Sequence, residues 1–329
     1  MTSCGFPRVS VVIPFYKNKE YLKECISHCL NLDYPDYEII VVSGSPLELH
    51  DESVKLVTVD SESQGFKKDA GVASASGEIC AFMDDDAYPA RDWLRNAVKH
   101  FEDPQVGGVC GPGVTPPDDG VMQRAGGFIY SSPVGSGPLR FRYIPTKPRY
   151  IDEGPGYNML VRRSLFTEIG GISAEFRSGD DTLLCRKIRR SGKRILYAPD
   201  VIVYHHRRPL FLPHLLQVRN YAFHRGFFAK KFRDFSSKPI WSLPAFTLML
   251  LVIVSASLLT GLVQPILAHA ILLIAGVYLL ACFVSGLWLS RSVALGLLTM
   301  AGIPLSHLAY AIGFLQGLLT RRLGERPSY

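Results

Sequence analysis

Up to Tyr204 the chain alternates short apolar runs with amphipathic stretches. Val9-Ser10-Val11-Val12-Ile13 is an apolar run stopped by Pro14, the pattern of a buried strand. From Glu20 to Leu30, Leu22, Ile26 and Leu30 recur at helical spacing and predict one buried helix face. Tyr37–Val42 reads as a second strand, ended by Ser43-Gly44-Ser45-Pro46, and Val54–Val59 as a third. Lys67–Ser76 predicts a helix rich in small residues and closed by Gly77; Ile79–Met83 predicts a fourth strand. Pro89 and Trp93 open a further helix with Leu94, Val98 and Phe101 turned inward, and Val201–Tyr204 is a last strand. Strand alternating with helix predicts an α/β fold with a mostly parallel sheet covered on both faces. In such sheets ligands bind beyond the carboxyl ends of the strands.

The pattern changes after Lys238. From Pro239 to Thr320 the only charged residue is Arg291, histidines aside. Ile240–Val263 and Pro265–Leu289 each suit a bilayer span of about 20 residues, with Val263-Gln264-Pro265 as the outer turn. Arg291 and the basic stretch ahead of the first span then both face the cytoplasm. Val293–Leu319 leaves two readings open. A full span would put Arg321, Arg322 and Arg326 outside, against the positive-inside bias, whereas an interfacial or re-entrant helix would not. The chain therefore divides into a catalytic part (1–208), a basic and aromatic interfacial linker (209–238) and an α-helical membrane segment (239–320). Between Gly111 and Tyr157 the sequence is rich in Gly and Pro and reads as a long lid loop, with Gly154–Asn158 as its inner edge. Arg140, Arg142, Lys147 and Arg149 in that stretch are candidates to meet an acceptor diphosphate.

Charge sharpens this division. The formal net charge of the 329-residue chain is +7, and Arg207-Arg208, Arg219, Arg225, Lys230-Lys231, Arg233 and Lys238 crowd just ahead of the apolar segment. Tyr221, Phe223, Phe227, Phe228 and Phe232 interleave with them, a composition that fits a membrane surface. That placement argues against nucleic acid as a partner. Seven cysteines without a CxxC pair read as reduced core residues in a cytosolic compartment. Met1–Val9 has no basic-then-apolar stretch, so no secretory signal is expected and the polar part should face the cytoplasm.

The candidate chemistry lies at strand ends. Asp84-Asp85-Asp86 follows the fourth strand directly, and three adjacent carboxylates need a cation or water around them. In extended backbone Asp84 and Asp86 point to one side and can approach a divalent cation whose shell phosphate oxygens complete. Asp180-Asp181 opens a predicted amphipathic helix. Two readings stand there: one Asp caps the helix, or one is a general base toward an acceptor hydroxyl. His205 follows the last strand and can be a surface residue or a third metal ligand.

Together, Val11-Val12-Ile13-Pro14-Phe15-Tyr16, Phe82-Met83-Asp84-Asp85-Asp86, Gly170-Gly171, Gly179-Asp180-Asp181 and Val203-Tyr204-His205 resemble the family 2 glycosyltransferases, in family order from Val9 to His206. The apolar tail resembles that of membrane-bound members. The resemblance implies a GT-A (Rossmann-like) fold and an inverting displacement. It further implies a UDP-, GDP- or dTDP-sugar donor, a Mg2+ or Mn2+ cofactor, and a lipid-linked or nascent glycan acceptor. The protein would be a multi-pass protein of the cell (inner) membrane. Pro14, Phe15 and Tyr16 would line the nucleotide pocket. Gly65, Lys68 and Asp69 match the segment where the family shows Arg-Asn near the donor. Asp84, Asp85 and Asp86 match its Asp-x-Asp motif, with Asp84, Asp86 and His205 as metal ligands. Asp181 matches the catalytic base, with Asp180 beside it in place of the usual Glu. Ser43 replaces an acidic residue that contacts the base, work that Asp60 would share, and Leu183 replaces an Asp.

Three other readings are weaker. A polyprenyl-phosphate sugar synthase has less need of a base, because its acceptor phosphate is already ionised. A processive polysaccharide synthase would carry Gln-x-x-Arg-Trp, which Gln217-Val218-Arg219-Asn220-Tyr221 approximates poorly. A non-catalytic membrane scaffold predicts loss of the acidic motifs, and both are present.

Overall fold

In chain order the secondary structure begins β1 (Val9–Phe15), α1 (Lys19–Cys29), β2 (Tyr37–Ser43), β3 (Val54–Thr58), α2 (Gln64–Ala73) and β4 (Ile79–Phe82). It continues with β5 (Ala87–Pro89), α3 (Trp93–Val98), β6 (Val106–Cys110), β7 (Gly113–Val114), α4 (Val121–Ser131), α5 (Pro133–Ser136) and β8 (Arg149–Ile151). Then come β9 (Met159–Arg162), α6 (Arg163–Glu168), α7 (Asp180–Arg190), β10 (Arg194–Tyr197) and β11 (Val203–His205). Four long helices follow: α8 (Leu212–Lys231), α9 (Lys238–Thr260), α10 (Pro265–Ser290) and α11 (Val293–Leu319). This computed structural model describes residues 6–49, 51–172, 179–232, 238–260 and 265–321. Cys4, Arg233, Arg322, Arg326 and the predicted outer turn at Val263-Gln264 lie outside the described residues. The chain forms two compact units: Met1–Val114 with Ile144–His206, and Thr115–Tyr143 with Arg207–Tyr329.

In the first unit eight strands form one sheet in the order β3-β2-β1-β4-β9-β6-β10-β8. β1 pairs in parallel with both β2 and β4, which explains its unbroken burial and its continuous apolar run. The sheet is mostly parallel, as predicted, but β9 runs antiparallel between β4 and β6. Pro14 does not end β1, which continues to Phe15. The ladder to β4 stops at Val12↔Phe82, so beyond that point Pro14 has only β2 beside it, where a missing N–H is tolerated. Pro89 likewise opens no helix. It lies in β5, at the edge of a second sheet ordered β5-β11-β7. α3 starts at Trp93, whose ring is fully buried and whose Nε1 donates to Asn158 Oδ1 at 2.9 Å.

Within the stretch predicted as a lid loop, Val121–Ser131 and 133–142 are helical. Some of its glycines and prolines stand at helix ends, whereas Gly126 and Gly127 lie inside α4: Ser132 Oγ accepts from Val134 N and Gly135 N, with Pro133 at the first helical position of α5. Ala125 and Ile129 of α4 are buried with Leu210, Cys282, Leu295 and Ile303 in the core of the second unit. Arg142 is buried there too, with its guanidinium on the Tyr221 hydroxyl.

The second unit packs α8 along α11 at close range. A Cβ at Gly313 or Gly317 would strike the carbonyls of Arg219 or Phe223, and one at Gly226 would strike that of Phe314. Only glycine permits this approach of two backbones. Among the described residues, His269–Ser290 and Val293–Leu319 are long and apolar enough to cross a membrane, with mean hydropathy 2.5 and 1.5. Pro244–Ser255 of α9 is apolar but shorter. Ser306, His307 and Gln316 of α11 have protein partners. Ser306 bonds His214 at 3.0 Å, and Gln316 Oε1 accepts from Arg219 at 3.1 Å. His307 bonds Thr247 and Tyr278 through Nδ1 at 2.9 Å and the Gly135 carbonyl through Nε2 at 3.0 Å. Polar groups in an apolar bundle are stable only when satisfied in this way.

His214 of α8 is fully buried, and burial, followed by the charge of Arg207, pulls its pKa down to about 4. The unfolded chain binds a proton at an ordinary imidazole pKa and the folded chain does not. His214 should therefore contribute a loss of up to about 3 kcal/mol as pH drops from roughly 6.5 to 4, levelling off below, and the difference between wild type and His214→Gln separates it from Asp84 and Asp85, whose raised pKa values act with the opposite sign in the same window. Unfolding midpoints of the detergent-purified chain across that window check this. His214→Gln should remove this contribution, and an unchanged slope would show that His214 is not the group responsible.

Candidate active site

β4 ends at Phe82, and the backbone leaves the sheet through Met83 into the three aspartates. Their side chains separate by role. One oxygen each of Asp84 and Asp86 and one ring nitrogen of His205 lie within 4.8 Å of one another. β11 brings His205 there by pairing antiparallel with β5, in register His205↔Ala87. His205 Nε2 stands 3.0 Å from Asp86 Oδ1, and the Tyr157 ring lies over the imidazole at 4.2 Å. Asp85 turns away from this cluster and accepts from Tyr16 N at 2.8 Å, which fixes the loop after β1.

A second group faces the first. Lys68 on α2 is almost fully buried, and its Nζ contacts Asp180 Oδ2 at 2.6 Å. Asp180 and Asp181 are the first two residues of α7, after Gly179 at φ +83°. Neither is the N-cap, so the capping alternative does not describe them. Asp181 Oδ1 accepts from Thr182 N at 2.7 Å. Gly156 closes this group from the opposite side: a Cβ there would lie 2.8 Å from Asp181 Cβ and 3.4 Å from Lys68 Nζ. Only a residue without a side chain leaves room at that point. Asn158 holds this loop, donating to the carbonyls of Pro112 at 3.1 Å and Val201 at 2.8 Å.

The electrostatics link the two groups. Burial disfavours the Lys68 ammonium, but Asp180, Asp84 and Asp181 outweigh it and hold its pKa well above the usual value. Burial would also raise Asp180, yet Lys68 keeps that carboxyl below its ordinary range. Asp84 is raised by burial beyond what Lys68 offsets, with Asp86 adding to the rise. Burial and Asp86 push Asp85 up to about 7. One lysine thus neutralises Asp180 but leaves the Asp84–Asp86 side short of positive charge. Carboxylate oxygens, an imidazole nitrogen and a local excess of negative charge suit a divalent cation.

The other candidates are placed differently. Asp69 Oδ1 accepts from Ile172 N at 2.8 Å, and Gly65 packs against Ile172, so α2 braces the chain ahead of α7. Pro14 and Phe15 lie inside β1, and the Phe15 carbonyl accepts from Lys67 Nζ at 2.8 Å. Ser43 is buried and gives its hydroxyl to the Ser45 carbonyl at 2.6 Å, and Asp60 is exposed. Neither is bonded to the metal-type cluster. Sequence reasoning missed Lys67, a fully buried ammonium paired with Glu62 at 2.8 Å. Two adjacent lysines in a helix of small residues are the local signal for it. It also missed Glu24 bonding His206 at 2.8 Å, for which a separation of 182 residues leaves no local signal.

Residues 10–170 match Glycosyl transferase family 2. The chain is similar to a Methanococcus voltae protein, dolichyl N-acetyl-alpha-D-glucosaminyl phosphate 3-beta-D-2,3-diacetamido-2,3-dideoxy-beta-D-glucuronosyltransferase. Identity is 24% over 242 residues, covering 68% of this chain and 74% of that one. It is 27% identical over 230 residues to the pre-mycofactocin glycosyltransferase of Mycobacterium tuberculosis, covering 67% of this chain but only 46% of that protein. Among solved structures, the mannosyltransferase PcManGT from Pyrobaculum calidifontis, in complex with GDP-Man and Mn2+, superposes with a TM-score of 0.64. The match spans 94% of this chain and 87% of that one at 22% identity, and it shows a shared fold.

Proposed function

Since this chain is a family 2 glycosyltransferase through its residues 10–170, built on a GT-A fold, we propose that it moves a sugar from a UDP-, GDP- or dTDP-sugar to a lipid-linked or nascent glycan acceptor, with inversion at the anomeric carbon. One observation carries this reading. Buried Lys68 bonds Asp180 and is held charged by Asp84 and Asp181 as well, which supports reading the Asp84–Asp86–His205 cluster as the leaving-group site and Asp181 as the nearby base. Asp84, Asp86 and His205 would hold Mg2+ or Mn2+. When bound, that ion neutralises the charge that develops on the departing diphosphate.

The chain's own residues divide the remaining work. Asp181 takes the proton of an acceptor hydroxyl. The freed oxygen attacks the anomeric carbon from the face opposite the diphosphate. The bond from that carbon to the diphosphate oxygen breaks, and the nucleoside diphosphate leaves with the electron pair. Asp180 is committed to Lys68, so it positions the helix start and does not act as the base. Asp85 would keep Tyr16, and with it the Pro14-Phe15 end of β1, against the donor through Tyr16 N. Ser43, Asp60, Lys68 and Asp69 complete the donor side.

Two observations support a lipid-linked acceptor at a membrane: the apolar helices α10 and α11, and a relative whose name describes transfer onto a dolichyl-phosphate-linked sugar. In this reading the protein is a multi-pass protein of the inner membrane with its catalytic residues on the cytoplasmic side. The test is a donor panel of UDP-, GDP- and dTDP-sugars with Mg2+ or Mn2+, read first as thermal stabilisation. A bound donor at a hundredfold excess over its Kd adds about 2.7 kcal/mol. The stabilising donor is then offered with prenyl-diphosphate-linked acceptors, and the anomeric configuration of the product is read by NMR. Retention of configuration, or no donor bound or turned over, overturns the proposal.

A further inference from the structure

An exposed apolar patch in the second unit has no role in the chemistry above. Val121 and Met122 open α4 at 56% and 41% exposure, and Phe211, Leu212 and Leu216 surround the start of α8 at 37%, 67% and 42%. The two helix starts come from segments far apart in sequence and are joined where Leu210 N donates to the Met122 carbonyl at 3.0 Å. Leu212 and Leu216 share one helix face. The patch is anchored from beneath: Leu210 is buried with Ile303 and Leu295 of α11, and His214 bonds Ser306. Exposed apolar groups of this size, clustered and rimmed by polar residues, mark an interaction surface.

The chemistry around the patch selects its occupant. The second unit holds fifteen lysines and arginines against four acidic residues, whereas acids outnumber bases in the first unit. Arg124 lies one turn beyond Val121 on α4, and Arg219 one turn beyond Leu216 on α8. Among the described residues, the two helices long and apolar enough to cross a bilayer lie in this unit, and Leu210 beside the patch packs on one of them. Apolar side chains flanked by cations, attached directly to an apolar span, match the layered chemistry of a membrane surface: hydrocarbon beneath, anionic headgroups above.

We infer that the patch formed by the start of α4 and the start of α8 inserts into an anionic lipid surface and is a second point of membrane contact besides the apolar helices. This rests on the reading that the second unit sits in a membrane, and the experiment separates the two. The full chain, with Cys4→Ser and a single introduced cysteine, is spin-labelled and placed in vesicles of phosphatidylcholine with phosphatidylglycerol. The six other cysteines are buried. Collision with oxygen and with a water-soluble nickel reagent is then measured at Met122→Cys, Leu212→Cys, Leu273→Cys on α10 and Tyr150→Cys in the first unit. The first three labels should favour oxygen and Tyr150→Cys should favour nickel. Immersion at positions 122 and 212 should fall when phosphatidylglycerol is replaced by phosphatidylcholine. Nickel-accessible labels at 122 and 212, with Leu273→Cys still in lipid, overturn the inference and leave membrane anchoring intact. Nickel access at all positions overturns the membrane reading itself. Labels at 122 and 212 shielded from both reagents mean that protein, as a second copy or a partner, covers the patch, and that also overturns it.

Discussion

Asp181→Asn is expected to lower kcat by roughly 10²–10⁴-fold, the range in which a positioned general base contributes. The substitution keeps shape. An amide oxygen can still accept from Thr182 N, as Asp181 Oδ1 does, so α7 should start as before and donor binding should be unchanged. What disappears is basicity at one point beside Gly156. Asp180→Asn provides the contrast, because its loss acts through Lys68 and should appear in stability and in donor KM more than in kcat. Steady-state kinetics and donor titration on both variants decide the assignment. If Asp180→Asn abolishes turnover while Asp181→Asn retains it, the base is Asp180.

Lys68→Met is expected to cost about 3–5 kcal/mol of stability, the usual result of removing one partner from a buried ion pair. The side chains of Lys68 and Asp180 are 5% and 17% exposed, so water cannot replace the lost ammonium. The loss reaches further than the pair, because Lys68 also offsets Asp84 and Asp181. Adding Asp180→Leu to Lys68→Met should recover part of the cost, since no uncompensated charge then remains at that position. Chemical denaturation of wild type and both variants measures this. A loss near the 0–1 kcal/mol of surface pairs would show that solvent reaches the site and that the pair is not the hinge of its electrostatics.

How far the sequence foretold this molecule depended on the separation of the residues involved. β1, β2 and β4 were legible because strands buried on both faces write themselves as apolar runs. β5, β7 and β11 were harder, at two or three residues each and with Pro89 in one of them. The antiparallel insertion of β9 left no trace, because an apolar run does not record its direction. At the site, the expected extended backbone at Asp84–Asp86 is instead a turn, closed by Ala87 N donating to the Asp84 carbonyl at 3.2 Å, and that turn brings an oxygen of each together. The meeting of His205 with Asp86, 119 residues apart, depended on the β5–β11 register, so its place after a strand left the surface and metal-ligand readings both open and family likeness favoured the second. The distinct task of Asp85 was hidden, since nothing local shows that its carboxyl faces Tyr16 N. α4 was concealed by glycines within it, Gly126 and Gly127, and by the glycines and prolines at neighbouring helix ends, all of which read as loop.

The excursion of Thr115–Tyr143 out of the first unit constrains how this protein can be dissected. A cut after His206, the natural place to seek a water-soluble enzyme, would retain Ala125 and Ile129 while discarding Leu210, Cys282, Leu295 and Ile303, the rest of their cluster. The fragment would carry a helix stripped of its partners and prone to self-association. A soluble version needs two edits: the C-terminal cut, and a short linker from Val114 to Ile144 in place of the excursion. The same logic applies to recombination. Exchanging either unit between relatives takes paired crossovers, because the chain enters the second unit twice.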